Sequence, residues 1–533
     1  MTSAEAPPAE TPALATPIPW AGLLAVLMGT FISTLNGRLS SLGIADIRGA
    51  MHAGFDEGAW ITTAQTAAQM MIAPVAIWLG SAFGPRRILL AAASTVIATS
   101  TLIPLSPTLG VFLVLQFTNG VATGFFVPLT LSFILRNTAP RYWAYGVAIY
   151  ALNLELSLNI SASLEGWYAD HLSWKWIFWQ NVPLAVIMAA CLHFGIPKDK
   201  PNPARPAPDL FGFASGGVSL ALIYAALDQG NRLDWLNSGL VVGLLASGGL
   251  LFVAFLLHEC RTTTPSVHLR VALAAPLPGL LLLIAFLRLT ILSSSYLVPQ
   301  FLQIVRGYRA LEIGHALLWI AAPQLILCPM AAVLLRRLDA RLISCIGFFF
   351  IAIACLLVSH TLTPAWSSRQ FLPSQLLQAV GQSFALSGVL FLAVLHLRPD
   401  EALTFGGAIQ VARLMGGQLG SAFITTFARV RSQTASNLIG SHLNPGDPDL
   451  INRLAAYGAL RGPDTGLSAT RALGTLAGVV RSASATQGVI DAFVVVAALT
   501  ALALLVTALQ APAPNGPASH RPFTWLGRSR DPA

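Results

Sequence analysis

The chain has 533 residues, of which 55% are hydrophobic and only 10% are charged. Because soluble globular chains usually carry about 25% charged residues, this composition excludes an ordinary soluble protein and predicts a polytopic membrane protein. The net charge of +9 does not indicate a nucleic-acid partner, since the basic residues cluster in short segments between apolar runs. The five cysteines are scattered without ligand spacing, which indicates neither a zinc site nor a disulfide framework.

Fourteen membrane spans are predicted, because apolar runs of about 20 residues, enough to cross a bilayer, recur along the chain. Residues 1–18 lack the basic segment of a signal peptide and are predicted to form a disordered cytoplasmic tail. The spans are placed at about 19–44, 58–82, 87–106, 109–136, 143–167, 177–196, 211–228, 238–258, 277–303, 312–335, 341–360, 370–397, 402–430 and 488–510.

Basic residues decide the predicted orientation. An even number of spans puts both termini on one side, and a cytoplasmic position leaves most Lys and Arg of the short connections inside. Far fewer, such as Arg48 and Lys175, then lie outside, as the positive-inside rule requires. The prediction is a multi-pass protein of the bacterial inner (cytoplasmic) membrane with both termini cytoplasmic. The long segment 431–487 is predicted to be an extracytoplasmic loop whose Ala-rich stretches could form surface helices.

A faint internal repeat predicts the domain organisation. The stretches "LGSAFGPRRILL" after the second span and "LLRRLDARLISC" after the tenth are short basic connections at matching places in two halves. We therefore predict an all-α fold of two six-helix bundles with two inserted helices, an architecture of secondary transporters. The predicted parts are an N-terminal bundle at 19–196, a linker with the two inserted helices at 197–270, a C-terminal bundle at 271–510 and a cytoplasmic tail at 511–533.

Four stretches resemble one family. "HLSWKWIFWQNVP" before the sixth span, "LDQGNRLDW" between the inserted helices, "YLVPQFLQIVRGYRALEIG" and "GGAIQVARLMGGQLGSA" are similar to segments of the fourteen-span drug:proton antiporters of the major facilitator superfamily, the EmrB/QacA type. The resemblance implies proton-coupled efflux of small amphipathic or aromatic compounds by alternating access. It also implies the proton gradient as energy source, without a cofactor, and allows a periplasmic adaptor protein as partner.

The departures from this family concern its usual coupling residues. The family's span-one Asp is replaced by Asn36 in "LNGRLSSLGIAD", and the Asp of the loop after span two by Ser81. The span-four motif Arg-x-x-Gln-Gly reads Gln116-x-x-Asn119-Gly here, and the span-five Gly-Pro-x-x-Gly-Gly motif reads "SASLEG", with Glu165 on a glycine position. Any proton coupling must therefore use other residues, and Asn36, at the position of the family's acid, is kept as a candidate substrate contact.

Glu155 and Glu165, both in the fifth span, are the carboxylates predicted to lie well inside the membrane. A charged group in hydrocarbon costs at least about 2.5–3.5 kcal/mol, so it is expected to face a cavity or a partner. Glu155 lies near mid-depth, and desolvation favours the protonated form of such a carboxylate, as a proton-coupled carrier requires. The hypothesis is that Glu155 replaces the missing acid; the alternatives are a permanent ion pair with an arginine, or an idle position.

Three arginines are predicted partners of these acids or of an anionic substrate. Arg288 lies deep in "IAFLRLTIL", where it either binds an anion or forms a structural ion pair between the halves. Arg38 follows Asn36 and could instead extend toward the membrane surface. Arg413 matches an arginine usual in the family, with a transport or a packing role.

Amide side chains are predicted to line a polar path, with interhelical hydrogen bonding as the alternative for each. The spacing of Gln65 with Gln69, and of Gln378 with Gln382, places each pair on one helix face. The complete predicted cavity set is Gln65, Gln69, Gln116, Asn119, Asn159, Gln378 and Gln382, to which Gln300 and Gln303 are possible additions. The predicted cytoplasmic hinge residues are Arg86, Arg87, Asp339 and Arg341, which either lock one state through acidic partners or anchor the topology.

The sequence thus predicts a secondary transporter that exports small amphipathic compounds, with an anionic or neutral substrate favoured by Arg38 and Arg288. One rival is an uptake permease for an organic acid. A rival of another class is a non-transporting membrane sensor or enzyme, although the sequence has no HExxH, GxSxG or phosphate-loop motif. No metal site, cofactor or nucleic-acid partner is predicted.

Overall fold

A computed structural model describes residues 20–196, 208–262, 273–397, 401–443, 446–459 and 468–511. These residues form a helical bundle. The predicted tail at 1–18 and most of the predicted linker and C-terminal tail lie outside the described residues.

Ten α-helices lie within the described residues 20–196, which form the first half of the bundle. Some neighbouring helices join end to end, and the joined helices together have the length of one membrane span. They are α1 Trp20–Leu42, α2 Ile44–Ala50, α3 Phe55–Gly58, α4 Trp60–Phe83, α5 Pro85–Leu102, α6 Leu109–Gly124, α7 Phe126–Asn137, α8 Trp143–His171, α9 Trp176–Trp179 and α10 Asn181–Gly195. The inserted pair is α11 Leu210–Gly230 and α12 Gly239–Arg261.

The second half repeats this plan with longer helices at its end. They are α13 Leu277–Leu292, α14 Val298–Arg306, α15 Ala310–Leu335, α16 Ala340–Thr361, α17 Leu372–Leu395, α18 Ala402–Ser441, α19 Pro448–Ala459 and α20 Ser468–Ala508. A short π-helical segment, Ser293–Leu297, joins α13 to α14.

Side-chain caps mark several helix starts. The side chains of Thr108, Asp209 and Asp339 each accept a backbone N–H in the first turn of α6, α11 and α16. Such caps satisfy donors that a helix start leaves without an intrahelical partner. These caps fix the first residues of α6, α11 and α16. The apolar runs in the sequence located these helix starts only to within several residues.

Thirteen of the helices in the described part of the chain are long and apolar enough to cross a membrane. They correspond to the predicted spans other than the thirteenth, which lies in α18. That helix has 40 residues but is less apolar, because one face carries Arg413, Gln418 and several glycines toward the bundle interior. A buried polar face lowers the mean hydropathy of a helix without preventing it from lying among other helices.

The segment 431–487 is more ordered than the predicted loop. The helix α18 continues to Ser441, α19 occupies Pro448–Ala459, and α20 begins at Ser468. At 1.5 Å per residue the 40 residues of α18 measure about 60 Å, twice the roughly 30 Å of a bilayer core. Helices are therefore present in the described part of this segment, as suggested for its Ala-rich stretches, and two of them continue the neighbouring spans.

We call the end of the bundle where α1 begins and α20 ends the tail face, and the opposite end the loop face. At the tail face the two halves share an apolar core that includes Leu131 and Trp143 from the first half and Leu390 and Phe405 from the second. At the loop face α8 and α15 approach backbone to backbone at Gly166 and Gly314. The halves therefore meet at both ends and enclose polar space between them.

Candidate functional site

A cavity of about 300 Å³ lies between the halves. We call it the central cavity. Its walls come from α1, α4 and α8 of the first half, from α11, and from α13, the π-helical segment and α18 of the second half. Four charged side chains line it: Arg38, Asp228, Arg288 and Arg413. Three guanidiniums against one carboxylate make the lining positive overall.

Arg38 turns into the central cavity. Its Nη2 donates a hydrogen bond to the backbone carbonyl of Ser295 in the π-helical segment of the opposite half. In a regular helix the carbonyl oxygen of Ser295 would accept a hydrogen bond from the N–H of residue 299, but Pro299 has no N–H. This oxygen is therefore available to another donor. The expectation that Arg38 extends toward the membrane surface was wrong, because the broken helix offers it a partner inside.

Arg413 and Arg288 complete the basic lining. Arg413 is buried, and its two terminal nitrogens donate to Thr34 Oγ1 of the first half at 3.1 Å and to Gln410 Oε1 at 2.9 Å. The Nε atom of Arg288 is buried without a hydrogen-bond partner among the described residues. The Nε atom of Arg413 is likewise buried without a hydrogen-bond partner among the described residues, but its two terminal nitrogens are held by the protein.

Glu155 is fully buried in α8, beside this cluster. Neither carboxylate oxygen has a hydrogen-bond partner in the described part of the chain, and no described basic group lies within 4 Å to form an ion pair. Arg288 and Arg413 nevertheless act electrostatically on its charge. The alternative of a permanent ion pair with an arginine is therefore not what the structure contains.

Asn36 lies away from the central cavity in an amide network of the first half. Its Nδ2 donates to Asn119 Oδ1 at 2.9 Å, and its Oδ1 accepts from Asn181 Nδ2 at 3.0 Å. Asn119 in turn donates to the hydroxyls of Thr99 and Ser100. The predictions that Asn36 binds substrate and that Asn119 lines the path are not supported, because each amide is occupied in joining helices.

A second amide network joins the two halves. Asn159 donates to Gln324 and Gln382 of the second half at 3.1 and 3.4 Å. Gln382 and Gln378 donate to the hydroxyls of Ser294 and Ser293, at 2.8 Å each. In this state Asn159, Gln378 and Gln382 therefore form hydrogen bonds between helices and do not line the central cavity.

The remaining predicted amides differ among themselves. Gln69 lines the central cavity and donates to Thr123 Oγ1 at 3.0 Å. Gln65 and Gln116 are buried, and both polar atoms of each amide have no hydrogen-bond partner among the described residues. Gln303 and Gln300 line two other cavities near the loop face. Of the seven amide residues predicted to line the path, only Gln69 reaches the central cavity.

Glu165 lies in a different place, a cavity of about 800 Å³ at the loop face. Asp46 and Asp170 line the same cavity, as does Arg309 from the second half. Glu165 is 4% exposed, and its Oε2 has no hydrogen-bond partner in the described residues. The two predicted acids therefore belong to two separate spaces, and only Glu155 lies near the arginines.

Two of the predicted hinge residues, Arg86 and Arg341, make hydrogen bonds within their own halves. Arg86 donates to the carbonyls of Leu192 and His193 at 3.3 and 2.8 Å, at the end of α10. Arg341 binds the carboxylate of Asp339 at 2.7 Å and the carbonyl of Gln510, which follows α20, at 3.1 Å. Cations at a helix C-terminus satisfy its open carbonyls. These contacts agree with anchoring and give no lock between the halves.

Asp228 is the cavity residue that the sequence reasoning missed. It sits at the predicted end of the seventh span, and residues at span ends were not considered for the membrane interior. Its Oδ1 accepts from Gln418 Nε2 at 3.1 Å, and its Oδ2 accepts from Thr63. Asp228 lies in the stretch "LDQGNRLDW", which served above only to show the family resemblance.

Two halves of six spans around a central polar cavity are the design of a secondary transporter. The sequence profile described as "Major Facilitator Superfamily" matches residues 26–421, and the chain belongs to this family of transporters. The predicted fold class is thereby confirmed, since the described helices and the family agree.

The individual relatives share only a low sequence identity with this chain. The chain is 23% identical to the multidrug export protein EmrB of Haemophilus influenzae over 427 residues, 80% of this chain and 83% of that protein. It is 26% identical to the probable multidrug resistance protein EmrY of Escherichia coli, covering 65% and 67%. The fatty acid resistance protein FarB of Neisseria gonorrhoeae is 21% identical, covering 79% and 83%. The predicted resemblance to the EmrB type is confirmed.

Solved structures agree on the fold. The crystal structure of the human organic anion transporter MFSD10 superposes with a TM-score of 0.56 at 15% identity, over 92% of this chain and 98% of that one. The proton:xylose symporter XylE gives the same TM-score at 11% identity, over 92% and 94%.

Proposed function

We propose that the protein exports small amphipathic compounds from the cytoplasm by alternating access, in exchange for protons. In this proposal the tail face is cytoplasmic and the protein lies in the bacterial inner membrane. The EmrB and EmrY relatives, whose names refer to multidrug export or resistance, support this function. An EmrB-type relationship also supports a periplasmic adaptor protein as partner, for which the loop face is the available side.

The observation that carries the proposal is the charge of the central cavity. Arg38 from the first half and Arg288 and Arg413 from the second line one small space. A charged side chain in the membrane is costly unless it meets a partner, and an anionic substrate would be one. We infer that the preferred substrates are amphipathic anions or neutral acceptors of hydrogen bonds. The FarB relative, named for fatty acid resistance, supports an anionic amphiphile.

Glu155 is the proposed coupling acid. Its carboxylate is buried without a hydrogen-bond partner among the described residues, and Arg288 and Arg413 act electrostatically on its charge. A buried carboxylate that is exposed to the two sides of the membrane in turn can take up a proton on one side and release it on the other. Loss of this proton-binding group should therefore abolish the coupling.

The test is a compound-sensitivity panel on cells that lack the protein. The panel contains a medium-chain fatty acid, the alcohol of the same chain length and an aromatic cation. Cells are complemented with wild type, Glu155→Gln, Arg288→Gln or the exposed control Glu57→Gln, with membrane levels measured. We expect wild type and Glu57→Gln to restore tolerance to the fatty acid, and Glu155→Gln and Arg288→Gln to fail.

Other outcomes have definite meanings. If wild type protects against none of the compounds and instead increases uptake of an organic acid, the protein works as an uptake permease. If Glu155→Gln protects as well as wild type, Glu155 is not the coupling acid. Protection against the aromatic cation but not the fatty acid contradicts the inferred substrate charge.

A further inference from the structure

The inserted helix α11 brings a carboxylate to the seam between the two halves. Asp228 accepts hydrogen bonds from Thr63 on α4 of the first half and from Gln418 on α18 of the second half, the latter at 3.1 Å. Its neighbour Gln229 donates to it as well, at 3.5 Å. One carboxylate therefore connects three parts of the fold at the wall of the central cavity.

The inserted helices are attached more firmly to the first half. Gly217 of α11 lies against the backbone carbonyl of Met71 on α4, where even a methyl group would not fit. Gln229 donates to Thr63 Oγ1 at 2.6 Å and to the carbonyl of Ala59 at 3.3 Å. Arg232 forms an ion pair with Asp56. A rigid-body movement of the first half would carry α11 and Asp228 with it.

Contacts of this region with the second half are fewer and lie near the loop face. Besides the bond between Asp228 and Gln418, Thr426 of α18 donates to Asn231 at 3.2 Å and accepts from Trp235 at 3.2 Å. These bonds must break if α18 moves away from α4 when the loop face opens. Together with the ion pair of Asp234 with Arg429 of α18, at 3.9 Å, they join the inserted helices to the second half in the state described here.

The chemistry of a carboxyl group makes this contact sensitive to protons. An ionised carboxylate only accepts hydrogen bonds and can hold the Thr63 hydroxyl and the Gln418 amide N–H groups together. A protonated carboxyl loses acceptor capacity at one oxygen and carries a donor. Binding of one proton therefore weakens the bond to Gln418 and leaves the attachment of α11 to the first half in place.

We propose that Asp228 is a proton-binding group of the transport cycle, whose ionised form keeps the loop face closed through Gln418, and that the inserted helices carry this acid to the seam. The inference rests on the proposed function, because it assigns a second acid to the same proton-coupled cycle. It gives the inserted pair a task in the transport cycle beside that of Glu155, whereas Asn36 in α1 is occupied in an amide network.

Other titratable or charged groups face the same space. Tyr224 is on α11 itself, Arg232 follows α11, and Tyr296 lies in the π-helical segment. The guanidiniums of Arg38, Arg288 and Arg413 line the cavity from α1, α13 and α18. Arginine and tyrosine keep one charge state between pH 5 and 8 at their ordinary pKa values, which leaves the carboxylates to respond in that range.

The test measures the opening of the loop face and needs no substrate. Spin labels are attached to cysteines introduced at Gly54 and Val430, both exposed at the loop face, with Cys191, Cys260 and Cys345 replaced by serine. Distances are measured by double electron–electron resonance in lipid nanodiscs at pH 8 and pH 5. In the wild type we expect the long-distance population to increase at pH 5.

Two variants decide the assignment. Asp228→Asn removes the ionisable group at nearly constant shape, and we expect its distance distribution to be the same at both pH values. Gln418→Leu keeps the acid but removes its partner, and we expect about a tenfold rise in the open-to-closed ratio at pH 8. The control Asp449→Asn removes an exposed acid of the helix α19 and is expected to keep the wild-type response.

The proposal is overturned if Asp228→Asn still opens on acidification as the wild type does, or if Asp449→Asn loses the response equally. A wild type that does not respond to pH overturns it as well. Because export is scored separately in the sensitivity panel, failure of the Asp228 assignment is distinguishable from failure of the proposed function.

Discussion

The contact between α8 and α15 at the loop face allows one prediction to be worked out in detail. A Cβ atom added at Gly314 would lie 2.7 Å from the backbone N and Cα of Ser163, whereas ordinary contacts begin at 3.4 Å. The substitution Gly314→Ala therefore requires a separation of about 0.7 Å between two backbones. Overpacking of this kind typically costs about 1–3 kcal/mol.

That cost applies only to the state in which the loop face is closed, because opening separates the two helices. A difference of about 1–3 kcal/mol shifts the open-to-closed ratio by roughly five- to 150-fold. Alanine is a better helix former than glycine, so the helix itself is not weakened. Spin labels at Ala169 and Ala310, one on each of the two helices and both lining the loop-face cavity, would report the shift as a longer distance.

The control for this experiment is Gly243→Ala. Gly243 lies in α12 with open space around it, so the added methyl group should leave the distance distribution unchanged. The reasoning would be refuted if Gly314→Ala gave the wild-type distribution, or if Gly243→Ala produced an equal shift.

Three further predictions concern buried polar groups. Asn36→Asp restores the family's acid, but it removes the donor to Asn119 and should lower the free energy of unfolding by about 1–3 kcal/mol; an unchanged melting temperature in detergent would contradict the network described. Arg413→Lys cannot reach two partners with a planar fork, so tolerance to the exported anion should fall while the membrane level is kept; full tolerance would show that charge alone suffices. Arg86→Ala and Arg341→Ala should lower the melting temperature to similar extents, because each removes the bond to the last helix of its half; a loss of transport without destabilisation would instead indicate a lock.

The sequence predicted much of the fold because its signals were local. Apolar runs identified the rods, and the basic connections at Arg86 and Arg341 identified the two halves. The helix α18 was placed correctly at its start, but its end was missed, since a helix that leaves the membrane has no hydropathy signal. The predicted end of the thirteenth span at residue 430 is 11 residues short of Ser441 for this reason.

The candidate site was only partly predictable. Glu155 and Arg288 were recognisable because a lone charge in an apolar run has few explanations. The roles of Asn36 and Asn159 depended on which side chains from other helices reach them, and one sequence does not contain that information. Asp228 was overlooked because its depth depends on how α11 packs against α4 and α18, not on its position within an apolar run.

The contacts of Arg86 and Arg341 have a consequence for how the chain can be divided. Each arginine lies at the start of the third span of its half and binds the end of the sixth, so each half is fastened to itself without using the other. Two separately synthesised fragments should therefore fold and reassemble in one membrane. Because α11 and α12 are attached to the first half, a break between residues 262 and 273 should preserve function better than one between residues 196 and 208.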